Sequence, residues 1–172
     1  MMKRFAFFVA LLCSLTGIVR AQNKEEEADL KAAFIYNFTK YIDWDSSGAN
    51  NNFVIGIIGA SPVSGPLREI ASGKTVGGKR IIIRNFSSPD EITDCDVLFI
   101  PQDLPYPLET ILDKTSKGTL TISEEDGYAK KGTALNFVIR NDKLRFEANL
   151  RAMLSAGLKA SSQLLKLAII VD

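Results

Sequence analysis

The sequence predicts a single α/β domain in three layers, with a mostly parallel, mixed sheet flanked by helices. Three observations predict it. Short apolar runs at Phe53–Ile58, Val97–Ile100 and Thr119–Ile122, with a fourth built around Ile81, Ile82 and Ile83, alternate along the chain with helical patterns. Alternation of this kind produces a parallel sheet covered on both sides. The run Phe53–Ile58 is apolar without a break, as suits a strand buried on both faces. Late in the chain, 134–140 and 144–147 flank Asn141-Asp142-Lys143 and read as a hairpin, which adds antiparallel strands at one edge.

The chain has 172 residues. Its first 21 read as a secretory leader: Lys3 and Arg4, an apolar stretch from Phe5 to Val19, then Ala21 at a cleavage site before Gln22. The apolar stretch is shorter than the roughly 20 residues a membrane-spanning helix needs. Cys13 follows Leu12, where lipid attachment requires a small residue. Export is therefore expected, with no stable membrane insertion after cleavage and with residues 22–172 as the working domain. A length of this order is natural for one domain, and neither an internal repeat nor a low-complexity linker divides it.

The first helix is expected over residues 25–44. Leu30, Ala33, Phe34, Ile35, Phe38, Tyr41, Ile42 and Trp44 share one broad sector, while Asp29, Tyr36, Thr39, Lys40 and Asp43 share the other. Lys31 falls inside the apolar sector. Glu25, Glu26 and Glu27 occupy the first turn, where negative charge favours the helix dipole. The polar residues 45–52 read as a loop, followed by the first strand. Gly59-Ala60-Ser61-Pro62 makes a turn, and Pro62 or Pro66 opens a helix to about Ala71. Residues 73–78 are loop or hairpin, and the second strand covers Lys79–Phe86. A short helical turn starts at Ser88 or Pro89, before the third strand at Val97–Ile100. A helix over 105–116, with Pro at its start, precedes the fourth strand. After the hairpin, a closing helix is expected from about Asn149 to Ala168, with Leu150, Leu154, Leu158, Leu165 and Ala168 on one face and Arg151, Lys159 and Lys166 opposite. The whole is Rossmann-like in arrangement.

Composition excludes several function classes. The leader takes three of the 21 basic residues (Lys3, Arg4 and Arg20), which leaves 18 against 20 acidic ones and a net charge of −2. Nucleic acid as a partner requires a strong basic footprint, and this balance argues against it. The chain contains no His, so it lacks the commonest general base near neutral pH and the commonest metal ligand. With Cys13 gone, Cys95 stands alone, which excludes thiolate zinc sites and an internal disulfide. Cys95 sits in an apolar run and is expected to be buried. The loop Ser123-Glu124-Glu125-Asp126-Gly127 is acidic but lacks the alternating ligands and closing Glu of a calcium loop. No metal and no cofactor is expected.

Nucleophiles fare no better. Ser61 lies outside any G-x-S-x-G pattern and has no His to activate it. Gly56-Ile57-Ile58-Gly59 sits where phosphate loops sit, yet it is not G-x-G-x-x-G and no Gly-Lys-Ser/Thr follows. No enzymatic activity is expected. One spatial inference remains. In an open parallel sheet a crevice forms beyond the carboxyl ends of the strands. If those strands are parallel, three loops meet there, carrying Gly59 and Ser61, Gln102 and Asp103, and Ser123, Glu124 and Glu125. The crevice is read as a ligand site, a partner surface or a filled cluster of loops.

The chain resembles the YfiR-like family of exported bacterial proteins (the DUF4154 domain). The resemblance rests on Lys31–Phe38 with Trp44, on Phe53–Gly59, Cys95–Ile100 and Leu120–Glu125, on Gly132 with Asn136-Phe137, and on Leu144–Asn149 leading into the closing segment. It implies a periplasmic repressor, dimeric and α/β in fold. Such a repressor binds the outward-facing sensory domain of an inner-membrane diguanylate cyclase and so lowers cyclic di-GMP and biofilm formation. The family also implies a stabilising disulfide. Cys95 matches one family cysteine, but its partner is absent here, so an internal redox bridge does not carry over. A histidine kinase with a periplasmic domain is the alternative partner. Trp44, Phe86, Tyr106 and Tyr128, aromatics near the loops, are the candidate anchors for a partner. The rival reading is a periplasmic small-molecule binding module that reports to a sensor kinase or transporter.

Overall fold

The computed structural model describes residues 24–44 and 51–172. The expected leader, residues 1–21, and most of the loop expected over 45–52 lie outside the described residues.

Eight strands form one mixed sheet. In chain order the strands of the molecule are β1 (Ile42–Asp43), β2 (Asn52–Ile58), β3 (Thr75–Val76), β4 (Lys79–Phe86), β5 (Val97–Ile100), β6 (Leu120–Ser123), β7 (Leu135–Arg140), β8 (Lys143–Asn149), β9 (Lys159–Ala160) and β10 (Ile169–Val171). The large sheet has the order β10-β8-β7-β6-β5-β2-β4-β3, and β1 pairs with β9 apart from it. The central run β4-β2-β5-β6-β7 is parallel throughout. The mixed character comes from β8, antiparallel to β7, and from β3, antiparallel to β4. The β7–β8 turn places Asn141 and Asp142 at φ 52° and 57°. Two successive positive φ values define the type I′ turn, whose twist matches a tight hairpin and which Asn and Asp tolerate.

Strand alternation divides the core in two. Phe53, Ile55 and Ile57 of β2, Val97 and Phe99 of β5, Leu120 and Ile122 of β6, and Leu135 and Phe137 of β7 point to one face. A helix over residues 24–38, α1, covers that face with Ala28, Ala32, Ile35 and Phe38. It is joined there by α2 (Ser64–Gly73), α4 (Leu150–Ser155) and α5 (Ser162–Leu167), through Leu67, Met153 and Leu164. Phe38 stacks on Phe137 and meets Phe146 edge-on at 4.8 Å, so the helix is keyed to the sheet by aromatic rings. The other face carries Val54, Ile58, Phe86, Leu98 and Ile100 beneath α3 (Leu108–Leu112), with Leu108 and Ile111 turned inward.

Three helical expectations need correction. The first helix stops at residue 38, not 44. Lys40 and Tyr41 bond back to the carbonyls of Asn37 and Phe38 as a tight turn, and Ile42–Asp43 is then drawn into pairing with β9. The helix expected over 105–116 is the five-residue α3. Thr115 turns its hydroxyl onto the Leu112 carbonyl, a local bond that competes with helix propagation. The closing helix is broken into α4, β9, α5 and β10. Gly157 at φ 78° ends α4, and Ser161 caps α5 by accepting from the Leu164 N–H. The β-branched run Ile169-Ile170-Val171 then joins the sheet parallel to β8. Leu154, expected on the buried face, is 66% exposed.

Candidate functional site

The crevice expected at the carboxyl ends of the parallel strands is present. β2, β5 and β6 run parallel and end at Ile58, Ile100 and Ser123, so the loops that follow emerge side by side. They are tied together from within. The Gln102 backbone N–H donates to Glu124 Oε1 at 3.3 Å, and the Asp103 N–H donates to Glu125 Oε2 at 3.4 Å. Gly59, at φ 73°, donates its N–H to the Phe86 carbonyl at 2.8 Å. A Cβ at Gly59 would lie 2.6 Å from Leu104 Cδ2, so the absence of a side chain there lets the β2 and β5 loops close on each other.

The residue that organises the crevice is Lys31 on α1. Its ammonium meets Glu124 Oε2 at 2.5 Å and Glu27 Oε1, one helical turn back, at 2.5 Å. The Lys31 and Glu124 side chains are 13% and 9% exposed, so the pair is largely out of water. Burial on its own would push the Lys31 pKa down. The hydrogen bonds and charges of Glu124 and Glu27 outweigh that and leave it raised above its ordinary 10.5. Lys31 thus stays charged and bolts α1 across the mouth of the crevice. The remaining space lies on either side of this bolt. One cavity of ≈ 280 Å³ is lined by Ala60, Pro62, Gln102 and Asp103, and another of ≈ 260 Å³ by Glu125, Asp126, Ile139 and Arg140. Lys31 was visible in the sequence as a charge within an apolar helical sector; its role as a partner of Glu124 was not.

The other expected crevice residues divide. Gln102 and Asp103 are exposed at the crevice, and Glu125 is partly so. Ser61 accepts from the Val63 N–H at 3.3 Å and so serves the turn into α2. Ser123 faces away from the crevice and is fully buried. Its hydroxyl lies 2.8 Å from Thr133 Oγ1 and 2.7 Å from Asn136 Oδ1. Asn136 in turn donates to Glu147 Oε2 at 3.3 Å. This chain of buried polar groups continues on the same face of the sheet to Asn149, which donates to the Ala129 carbonyl and accepts from the Ala152 N–H. Strand alternation puts Ser123 there, because its neighbour Ile122 takes the opposite face.

The four expected anchors do not form one surface. Phe86 is buried in the second core cluster, against the position of Gly56. Tyr106 and Tyr128 pack partly buried on that same cluster. Burial, with Glu125 nearby, pushes the Tyr128 phenol up. Trp44 lies at the opposite end of the sheet. It donates its indole N–H to the Gly118 carbonyl at 3.0 Å and meets Phe53 edge-on at 5.2 Å. Trp44 and Phe86 therefore serve packing before anything else.

The chemistry available at the crevice is that of charge pairing and backbone donors. Among the described residues no group of three or more His, Cys, Asp or Glu is placed to hold a metal ion, and no helix is long and apolar enough to cross a membrane. Cys95 is buried, and its thiol is pushed up to about 12, first by that burial and then by Asp96 and Asp94.

Comparison with known proteins agrees with this picture. A family model described as DUF4154, YfiR/HmsC-like, matches residues 28–169. A search of curated proteins finds no match. The family is one of periplasmic regulators, not of catalysts. The matched segment runs from the first buried turn of α1 to the start of β10 and so takes in every layer of the fold. The chain belongs to the DUF4154 (YfiR/HmsC-like) family.

Proposed function

We propose that this protein is exported and acts in the periplasm by binding the periplasmic domain of an inner-membrane signalling protein. The target we propose is a diguanylate cyclase, held inactive so that cyclic di-GMP and biofilm formation fall. The observation that carries the reading is membership of a regulatory family over nearly the whole described fold. The crevice supports it. Its central cation, Lys31, is taken up by Glu27 and Glu124, while Gln102, Asp103 and Glu125 stand at its rim as polar contacts for another macromolecule.

Repression requires tighter binding to the inactive than to the active state of the cyclase, because equal affinity shifts no equilibrium. The test is genetic and biochemical together. Deletion of the gene is expected to raise cyclic di-GMP several-fold and thicken biofilm. A tagged copy recovered from gently solubilised membranes is expected to bring a membrane cyclase with it. Unaltered cyclic di-GMP in the deletion strain, with no membrane sensor recovered, would rule the reading out. A second reading, a small-molecule binding module, is favoured by the two cavities beside Lys31. A thermal-shift screen of periplasmic metabolites tests it, since a ligand that binds only the folded state raises Tm by mass action.

A further inference from the structure

A broad groove lies at the other end of the sheet from the crevice. Its floor is Thr119, just before β6, and Thr121 in the amino-terminal half of that strand. Because β8 is antiparallel, it delivers Asn149 and the start of α4 to this same end, and the crossover from β6 to β7 brings residues 130–132 there. The loop before β6 is fixed against the end of α4 by a 2.7 Å bond from the Gly118 N–H to the Ala156 carbonyl. The groove is open to solvent and has a volume of ≈ 660 Å³, within the range of sites that hold small molecules.

Charge distinguishes this groove. Lys117, Lys130, Lys131 and Arg151 all line it, and Asp172 is the one acidic residue among its lining. Three separate segments of a near-neutral chain thus converge four cations on one depression. Lys31, Lys114 and Arg140 each have a carboxylate within 4 Å, whereas none of these four forms an ion pair among the described residues. Lys131 instead stands 5.6 Å over the Tyr128 ring. The floor is already satisfied: Thr119 donates to the Cys95 carbonyl, and Thr121 accepts from the Ala134 N–H. A cleft lined by one sign of charge concentrates counter-charged solutes.

We infer that this groove binds a small multivalent oxyanion, a compound carrying two or more carboxylate or phosphoryl groups, independently of any partner at the crevice. Since the floor has few free donors, recognition is by charge on the rim. Affinity follows the valence of the ligand and weakens with salt.

Citrate and inorganic pyrophosphate are the probes, titrated at fixed ionic strength against the protein spanning residues 22–172 by calorimetry and by amide chemical shifts. Each is expected to bind at least tenfold more tightly than acetate, with the shifts falling on residues 117–121, 130–132 and 149–156. A preference for citrate identifies a carboxylate ligand, and a preference for pyrophosphate a phosphoryl one. The double variant Lys117→Gln/Arg151→Gln is expected to lose tenfold or more. The control Lys159→Gln/Lys166→Gln, which removes equal charge outside the groove, is expected to keep the affinity. The inference fails if neither probe outbinds acetate, if the shifts fall elsewhere on the wild-type protein, or if the control loses as much as the groove variant. The shift map needs no variant, so it decides the matter even if a variant folds poorly.

Discussion

At the scale of single residues, Gly56 and Cys95 sit at a closely packed point of the second core cluster. A Cβ at Gly56 would come within 2.6 Å of Phe86 Cε2 and 3.3 Å of Cys95 Sγ. Gly56→Ala is therefore expected to destabilise the fold by about 1–3 kcal/mol, the usual range for overpacking a core. Chemical denaturation of the variant measures it, and Phe86→Leu in the same chain should return part of the loss. The Cys95 thiol, pushed up to about 12, is almost wholly protonated at pH 8. In protein spanning residues 22–172 it is expected to be inert to a thiol reagent when folded and to react at once in denaturant. Rapid labelling of the native state would contradict its burial. The lone cysteine was readable from the sequence as buried, because it opens an apolar run. The place of Gly56 against Phe86 was not readable, since a parallel register between β2 and β4 sets it.

At the scale of elements, α1 is held to the sheet by two different devices, an aromatic cluster at its carboxyl end and the Lys31 bolt nearer its start. Lys31→Met removes one member of a poorly hydrated pair and leaves Glu124 without its cation. The expected cost is about 1–3 kcal/mol, below that of a fully buried pair. Adding Glu124→Gln should restore part of it, and the double-mutant cycle gives the coupling. The sign of the pH dependence follows from the raised Lys31 pKa. The contribution is complete below 10.5, the ordinary lysine value, and disappears as pH climbs through the higher folded value. The stability gap between wild type and Lys31→Met should thus be flat through neutral pH and shrink above 10.5. Most elements were legible in the sequence because apolar periodicity is a local signal. The closing segment was not. Its leucines repeat as in a helix, but Gly157 adopts a left-handed conformation and Ile169–Val171 find a place beside β8. Such long-range pairing leaves little mark on local periodicity.

At the scale of the whole molecule, charge is distributed between two ends. The crevice end carries Glu27, Asp103, Glu124, Glu125 and Asp126 with Lys24, Lys31 and Arg140, and the far end carries the four cations of the groove with Asp172. If the crevice rim is the partner surface, Asp103→Lys/Glu125→Lys should weaken retention of the membrane sensor by tenfold or more, while Lys117→Gln/Arg151→Gln leaves it intact. Co-purification of both variants in parallel separates the two ends. The three converging loops were expected from the alternation of strands and helices, given parallel strands, whereas the strand order itself was not legible. That a lysine from the first helix would occupy their meeting point depended on how α1 crosses the sheet, which no spacing encodes.

Gly59 joins these scales. Because Leu104 lies in the space a side chain at Gly59 would need, the segments after β2 and β5 behave as a meshed pair. A docked protein would meet the two segments as one continuous edge, and Gly59→Ala would disturb that edge both through Leu104 and through the backbone that holds the Phe86 carbonyl.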